Sequence, residues 1–292
     1  MFVYIKPIPV SGRKVTSAVV IAKESLLLGI SRRINTNLLA FRVSLSVLSL
    51  SDRLRLGRPN MNAAKYYDKI YSFKDYEQEA KKITRIVEER LHSEGRSLLD
   101  VACGTGRHIE YLKDQFDAEG LDISREMLEI ARVRNPNVTF HQADMIDFGL
   151  DKKFDVITCL FSAIGYAKTL EHAGSAIACM SRHLVPGGLL IVEPWFEPEA
   201  WHPGTVHATL IDEPNLKIAR VNTSFVKGRI SYFDLHHLIG TPEGTTHFVE
   251  HHELGLFTIE EMRKMFADVG LSVTYDVEGI AGRGLYVGEK TS

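Results

Sequence analysis

From about residue 75 onward the apolar positions alternate between two spacings. In 75–92, DYEQEAKKITRIVEERLH, Ala80, Ile83, Val87 and Leu91 recur at three- and four-residue steps, which puts them on one face of a helix. SLLDVA (97–102) predicts a short buried strand, and GRHIEYLKDQF (106–116) returns to helical spacing. AEGLDIS (118–124) predicts a second strand. SREMLEIARVRN (124–135) predicts a helix capped by Ser124 and stopped by Pro136. NVTFHQAD (137–144) and KFDVITCLFS (153–162) read as strands, LEHAGSAIACMSRHL (170–184) as a helix, and GGLLIVEPW (187–195) as a strand. Strands alternating with helices imply βαβ crossovers, hence a parallel sheet covered on both faces.

After Trp195 the pattern changes. KIARVNTSFVKGRISYFDLHHLIG (217–240) and THFVEHHELGLFT (246–258) alternate with period two around a KG turn, which predicts an antiparallel insert over about 196–257. TIEEMRKMFADVG (258–270) is a helix with Thr258 as cap and glutamates in its first turn. LSVTYDV and GRGLYVGE close the chain as an expected antiparallel hairpin on the sheet edge. The fold class predicted is α/β, a doubly wound and mostly parallel sheet with an antiparallel insert after the fifth strand.

The first strand ends at Asp100–Val101–Ala102 and runs into Cys103–Gly104–Thr105–Gly106. In an open α/β sheet ligands sit beyond the carboxyl ends of the strands, where strand order reverses. Glycines there let a ligand approach bare backbone and supply positive φ, and the following helix start offers free N–H groups. Asp122 ends the second strand, about where an acid grips ribose hydroxyls in nucleotide-binding sheets. A dinucleotide fingerprint needs a third glycine, and Ile109 stands there instead. Asp100, ahead of the turn, suits a cationic amino group. The pair of acids around this turn fits a nucleoside that carries an amino acid better than a pyrophosphate.

These residues resemble the first motif of class I S-adenosylmethionine (SAM) methyltransferases. GLDISREML, HQADMIDF, FDVITCLFSAIGY and LVPGGLLIVEPW resemble the later motifs in order, and the similarity covers roughly Ala63 to Glu289. AKYYDKIYSFKDYEQEA, FSAIGY, EPWFEPEAW and GRGLYVG resemble, more narrowly, the N,N-dimethyltransferases acting on nucleotide-linked 3-amino deoxysugars. The resemblance implies a Rossmann-like fold with a seven-stranded sheet, SAM as cofactor, and an insert that builds part of the sugar-nucleotide site. It assigns Asp100, Ala102, Gly104, Gly106 and Asp122 to SAM, with Asp144 and Met145 at the adenine and Leu160 as apolar contact. It places Tyr67 and Tyr76, in the first helical segment, as an aromatic lid that excludes water. Tyr166, after the fourth strand, is where the methyl acceptor is expected, as a positioning residue. Trp195 and Arg283 are the substrate candidates, one as a stacking surface, the other as a planar donor to phosphate or sugar oxygens. The gap between YYD and KDY is shorter here than in the family.

Composition narrows the partners. The chain of 292 residues is 45% hydrophobic with a net charge of −2, so no overall field favours nucleic acid. Cys103, Cys159 and Cys179 are scattered without CxxC spacing, which argues against disulfides and zinc and fits a reducing, cytoplasmic setting. The histidine pairs 236–237 and 251–252 lie in strand sequence, where neighbours face opposite sides, so neither pair chelates one ion and no metal is expected. No apolar run approaches the roughly 20 residues of a membrane helix. Residues 1–60 carry ten Lys/Arg and two acids, leaving the rest at −10. They read as a transit-like leader, a basic arm, or a segment outside the mature protein; the last is preferred, with the methyltransferase domain over 61–292. The expected partner is a small-molecule acceptor such as a sugar nucleotide, without nucleic acid or membrane; a homodimer is one assembly open to the chain. The competing functions are methylation of another small amine, hydroxyl or carboxylate, and SAM-binding regulation without turnover.

Overall fold

The computed structural model describes residues 61–291, so the expectation for 1–60 lies outside the described residues. Two helices open it, α1 (Met61–Ile70) and α2 (Tyr76–Arg90), followed by β1 (Ser97–Val101), α3 (Arg107–Leu112), β2 (Asp117–Asp122), α4 (Arg125–Arg134) and β3 (Thr139–Gln142). Next come β4 (Phe154–Cys159), a 3₁₀ turn over Ala163–Ala167, α5 (Leu170–Arg182) and β5 (Leu184–Val192). The insert is β6 (Val206–Glu213), β7 (Leu216–Lys227), β8 (Ile230–Thr241) and β9 (Gly244–Gly255); α6 (Ile259–Asp268), β10 (Leu271–Asp276) and β11 (Leu285–Lys290) complete the chain.

The main sheet has seven strands in the order β10-β11-β5-β4-β1-β2-β3. All neighbours are parallel except β11, which is antiparallel to both β5 and β10. The chain winds outward from β1 to β3, then returns to place β4 on the other side of β1. The crevice where ligands are expected therefore opens between the ends of β1 and β4. Every residue of β4 is buried, as is most of β1, as a sheet covered on both faces requires. One layer packs Ile177, Met180, Met262 and Phe266 against the sheet; the other packs Ala80, Ile83 and Val87 of α2.

Local signals account for the boundaries. Ser124 accepts the Met127 N–H at 3.2 Å, and Thr258 and Glu261 form a reciprocal capping box. The expected first helical segment is two helices, because Asp75 caps a fresh start by accepting the Gln78 N–H at 2.9 Å. The helix expected over 106–116 ends at Leu112, where Gln115 and Phe116 N–H groups turn back onto the Leu112 carbonyl. The insert is a separate four-stranded antiparallel sheet, β6-β7-β8-β9. Its edge strand β6 has no fully buried residue, unlike the other three, so the sequence pattern passes over it. Among the described residues no helix is long and apolar enough to cross a membrane.

Candidate active site

The glycine turn begins where β1 stops. Ala102, Gly104 and Gly106 all have positive φ, at 57°, 54° and 71°, so the backbone reverses within five residues. The Gly104 N–H donates to Asp122 Oδ2 at 2.8 Å, and Ser124 N–H donates to Asp122 Oδ1 at 2.8 Å. Asp122 is thus the brace that locks the turn against the end of β2. Burial raises its pKa, and the N–H groups of Ser124, Gly104 and Ile123 pull it back. A side chain at Gly104 would meet nothing within 4 Å, whereas one at Gly106 would run into Asn135 and Ala131. The first glycine therefore faces the open crevice and the second faces α4.

Asp100 lies on β1 opposite Thr158 of β4. Its Oδ1 accepts the Thr158 hydroxyl at 2.7 Å, while its Oδ2 is buried without a hydrogen-bond partner. The carboxyl is 1% exposed, and burial lifts its pKa to about 6 against the pull of His108 and Thr158. A buried carboxylate with one free oxygen is completed by a cationic donor. Cys103, in the same turn, is no nucleophile: burial beside Asp100 and Asp122 raises its thiol well above the usual range.

α1 reaches this turn through Asp68, whose Oδ1 accepts the Thr105 hydroxyl at 2.8 Å. The Tyr67 ring of α1 lies 4.6 Å from Tyr71, tilted by 51°, and Tyr71 meets the Phe161 ring edge-on at 5.2 Å. Burial raises the Tyr67 pKa, and Tyr71, Tyr76, Tyr166 and Asp122 all push it the same way. Tyr76 is packed inside, edge-on to His108 at 5.0 Å. Its ring sits where the start of α2 meets α3. Beside it Glu79 holds both Lys74 and His108, the latter at 2.8 Å. Burial would raise Glu79, but the His108 bond and the Lys74 charge outweigh it and keep it low.

After β4 the backbone is strained. Phe161 and Ser162 take successive positive φ values of 53° and 62°, each costing about 1–3 kcal/mol. Glu193 at the end of β5 holds them: its Oε2 accepts the Phe161 N–H at 2.6 Å, and Ser162 donates to the Pro194 carbonyl at 2.7 Å. Glu193 Oε1 accepts from Arg283 Nε and Nη2 at 3.1 and 2.9 Å, and the guanidinium lies 5.1 Å from the Phe161 ring. Arg283 is therefore the counter-ion of a fully buried carboxylate rather than a free cation, with Nη1 left outside that pair.

The other expected residues are placed as follows. Asp144 is half-buried beyond β3 and makes a local turn by accepting the Ile146 N–H at 3.1 Å; no helix follows it. Met145 packs partly against the main core. Leu160 is a core side chain with Val156, Leu189 and Leu285. Trp195 donates from Nε1 to Ser231 Oγ at 2.9 Å and joins Phe196, Trp201 and Phe233 in an aromatic cluster. Tyr166 is 47% exposed, and its hydroxyl bonds His252 Nδ1 at 2.8 Å. Surrounding protein and the Tyr71 and Glu250 charges raise its pKa. The sequence singled out neither Glu193, Phe161, Lys74 nor His252.

The chain resembles known methyltransferases in sequence and in fold. Residues 98–188 match the family model described as a methyltransferase domain. The chain is 42% identical over 229 residues to the dTDP-3-amino-3,4,6-trideoxy-alpha-D-glucopyranose N,N-dimethyltransferase of Streptomyces venezuelae, covering 77% of this chain and 96% of that one. The crystal structure of Streptomyces venezuelae DesVI superposes with a TM-score of 0.74 at 41% identity, covering 78% of this chain and 98% of the other. SAM-bound CalS10, an amino pentose methyltransferase from Micromonospora echinaspora, does so at 0.70 and 36% identity, covering 80% and 97%.

Proposed function

This chain belongs to the SAM-dependent N,N-dimethyltransferases of dTDP-linked amino sugars, and we propose that its own acceptor is the amine of a nucleotide-linked amino deoxysugar. The observation that carries the reading is the placement of the insert. Its strand β9 reaches Tyr166, just after β4, so the insert stands beside the carboxyl ends of the strands, where a ligand is expected on this fold.

The residues present fit SAM. The free Asp100 Oδ2 suits its amino group, the open space before Gly104 admits it close to the backbone, and Asp122 and Asp144 stand at the ends of β2 and β3 for ribose and adenine. SAM supplies a methyl group on a cationic sulfur. Tyr67, Tyr71 and Tyr76 surround the cleft with rings that exclude water and offer π-faces to a cation. Holding a nucleophile in line accounts for most of the acceleration expected of the site. Tyr166 orients the amine and receives its proton. Trp195, with its neighbours, lines the acceptor side, and Arg283 keeps the Phe161 loop in shape while presenting Nη1.

The domain is proposed to span 61–292. Leu210, Val221 and Leu238 share the outer face of the insert and are exposed, which supports a homodimer as the assembly. The net −10 of the residues after 60 supports a small-molecule acceptor over nucleic acid.

Calorimetry with SAM and NAD, with Asp122→Ala as control, followed by mass spectrometry of nucleotide-linked amino sugars, tests the proposal. SAM binding lost in the control, with methyl addition to the sugar amine, is expected. Binding without methylation of any amine in the panel would return the choice to other acceptors or to a regulator.

A further inference from the structure

The inner face of the insert carries polar side chains where apolar ones are the norm. On β9, Phe248, Glu250, His252 and Leu254 share one face. β8 sets Leu235 opposite Glu250 and Phe233 opposite His252. Leu254 packs on Gly165 and His252 on Tyr166, both in the 3₁₀ turn. The His252 ring stacks on Phe233 at 5.4 Å. Its Nε2 is buried without a hydrogen bond and lies 4.0 Å from Glu250 Oε1. Glu250 Oε2 is 2.7 Å from Nε2 of the fully buried His237, off the N–H line and so not hydrogen-bonded.

We infer that His252, backed by Glu250, is a positioning residue that aims the Tyr166 hydroxyl at the acceptor and takes its proton during methylation. This rests on the amine acceptor proposed above. The amine must lose an N–H proton to free its lone pair, once before each attack. In that step the ammonium N–H bond breaks and an O–H bond forms at Tyr166 Oη. The original Tyr166 O–H bond breaks, and its proton forms an N–H bond at His252 Nδ1. The imidazole becomes an imidazolium facing Glu250, whose partial exposure opens the way for the proton to leave to water. The groups around His252 agree with this. Burial lowers its pKa, Glu250 raises it, and Arg220, His237 and His251 lower it again, so the ring is neutral near pH 7 and able to accept. Tyr166 stays protonated and passes a proton on instead of holding charge.

The test uses the full chain with SAM and a nucleotide-linked 3-amino deoxysugar, and compares Tyr166→Phe, His252→Phe, His252→Asn and the Tyr166→Phe/His252→Phe pair. His252→Phe keeps the stack on Phe233. His252→Asn can accept the Tyr166 hydrogen bond but no proton. Each single change should lower kcat about tenfold with KM unchanged, less than the roughly 10²–10⁴ of full acid–base catalysis because an amine loses its proton readily. The pair should be no slower than either single change, as groups acting as one unit require. The acid limb of the kcat profile should vanish in both His252 variants and coincide, in the wild type, with the His252 titration followed by NMR. Calorimetric SAM affinity should be unchanged throughout, which certifies the fold; if His252→Phe loses it, His252→Asn carries the test. A roughly 100-fold loss in the pair, as independent sites would give, overturns the inference. So does wild-type turnover in His252→Asn. A wild-type chain inactive on the amino sugar overturns the acceptor reading first, before any variant is compared.

Discussion

In the proposed cofactor site, Asp100 is the residue on which recognition turns. Its pKa of about 6 in the folded chain lies above the unfolded value, which is about 3.9 for aspartate. Between those values the unfolded chain has released a proton that the folded chain retains, so this group's contribution to stability falls as pH rises from about 4 to about 6 and is flat above. The shift corresponds to about 3 kcal/mol at most, since each unit is about 1.4 kcal/mol. A bound cation reverses the preference, because it favours the ionised form. SAM binding should therefore release a proton below pH 6, and SAM affinity should rise with pH up to about 6 and level off. Asp100→Asn should flatten that profile and weaken binding roughly tenfold or more, the size of a hydrogen bond to a charged group. Calorimetry in two buffers of different ionisation enthalpy checks both; an affinity independent of pH from 5 to 7 in the wild type would remove Asp100 from the amino-group site.

Among elements, the glycine turn separates a ligand-facing position from a packing position. Gly104→Ala should cost only the left-handed backbone penalty, about 1–2 kcal/mol, but place a methyl in the open crevice and weaken SAM. Gly106→Ala adds a Cβ 3.2 Å from that of Ala131, so thermal unfolding should show the larger loss of stability there. Equal losses with intact SAM affinity would mean that Gly104 does not face the ligand. Glu193→Gln breaks a buried pair and should cost about 3–5 kcal/mol in denaturant unfolding, because it releases Arg283 together with the strained Phe161 loop; a loss below 1 kcal/mol would show that the loop holds itself. The contrast also explains what the sequence could reveal. The turn, its two acids and the Ser124 and Thr258 caps are local, with each partner a few residues away or at the end of the next strand, so spacing exposes them. Glu193 meets Arg283 across 90 residues and Tyr166 meets His252 across 86. Such pairs depend on strand register and on how the insert packs, which no local pattern encodes. Arg283 looked like a free donor for that reason.

For the whole molecule, the seven-stranded sheet, both covering layers and the insert described above lie within residues 61–291. The Streptomyces venezuelae relative, matched over 96% of its length, aligns with only 77% of this chain. Both observations support a domain that folds and binds from Met61. A ligand that binds only the folded state stabilises it by about 2.7 kcal/mol at 100 times its Kd. For a domain of this size each kcal/mol moves Tm by about 2–4 °C, so saturating SAM should raise Tm by roughly 5–10 °C. The same rise is expected for the full chain and for one starting at Met61, measured by thermal unfolding with and without SAM. A rise confined to the full chain would place part of the binding energy in residues 1–60. That would require a cofactor site larger than the one proposed at Asp100, Asp122, Asp144 and the bare backbone at Gly104.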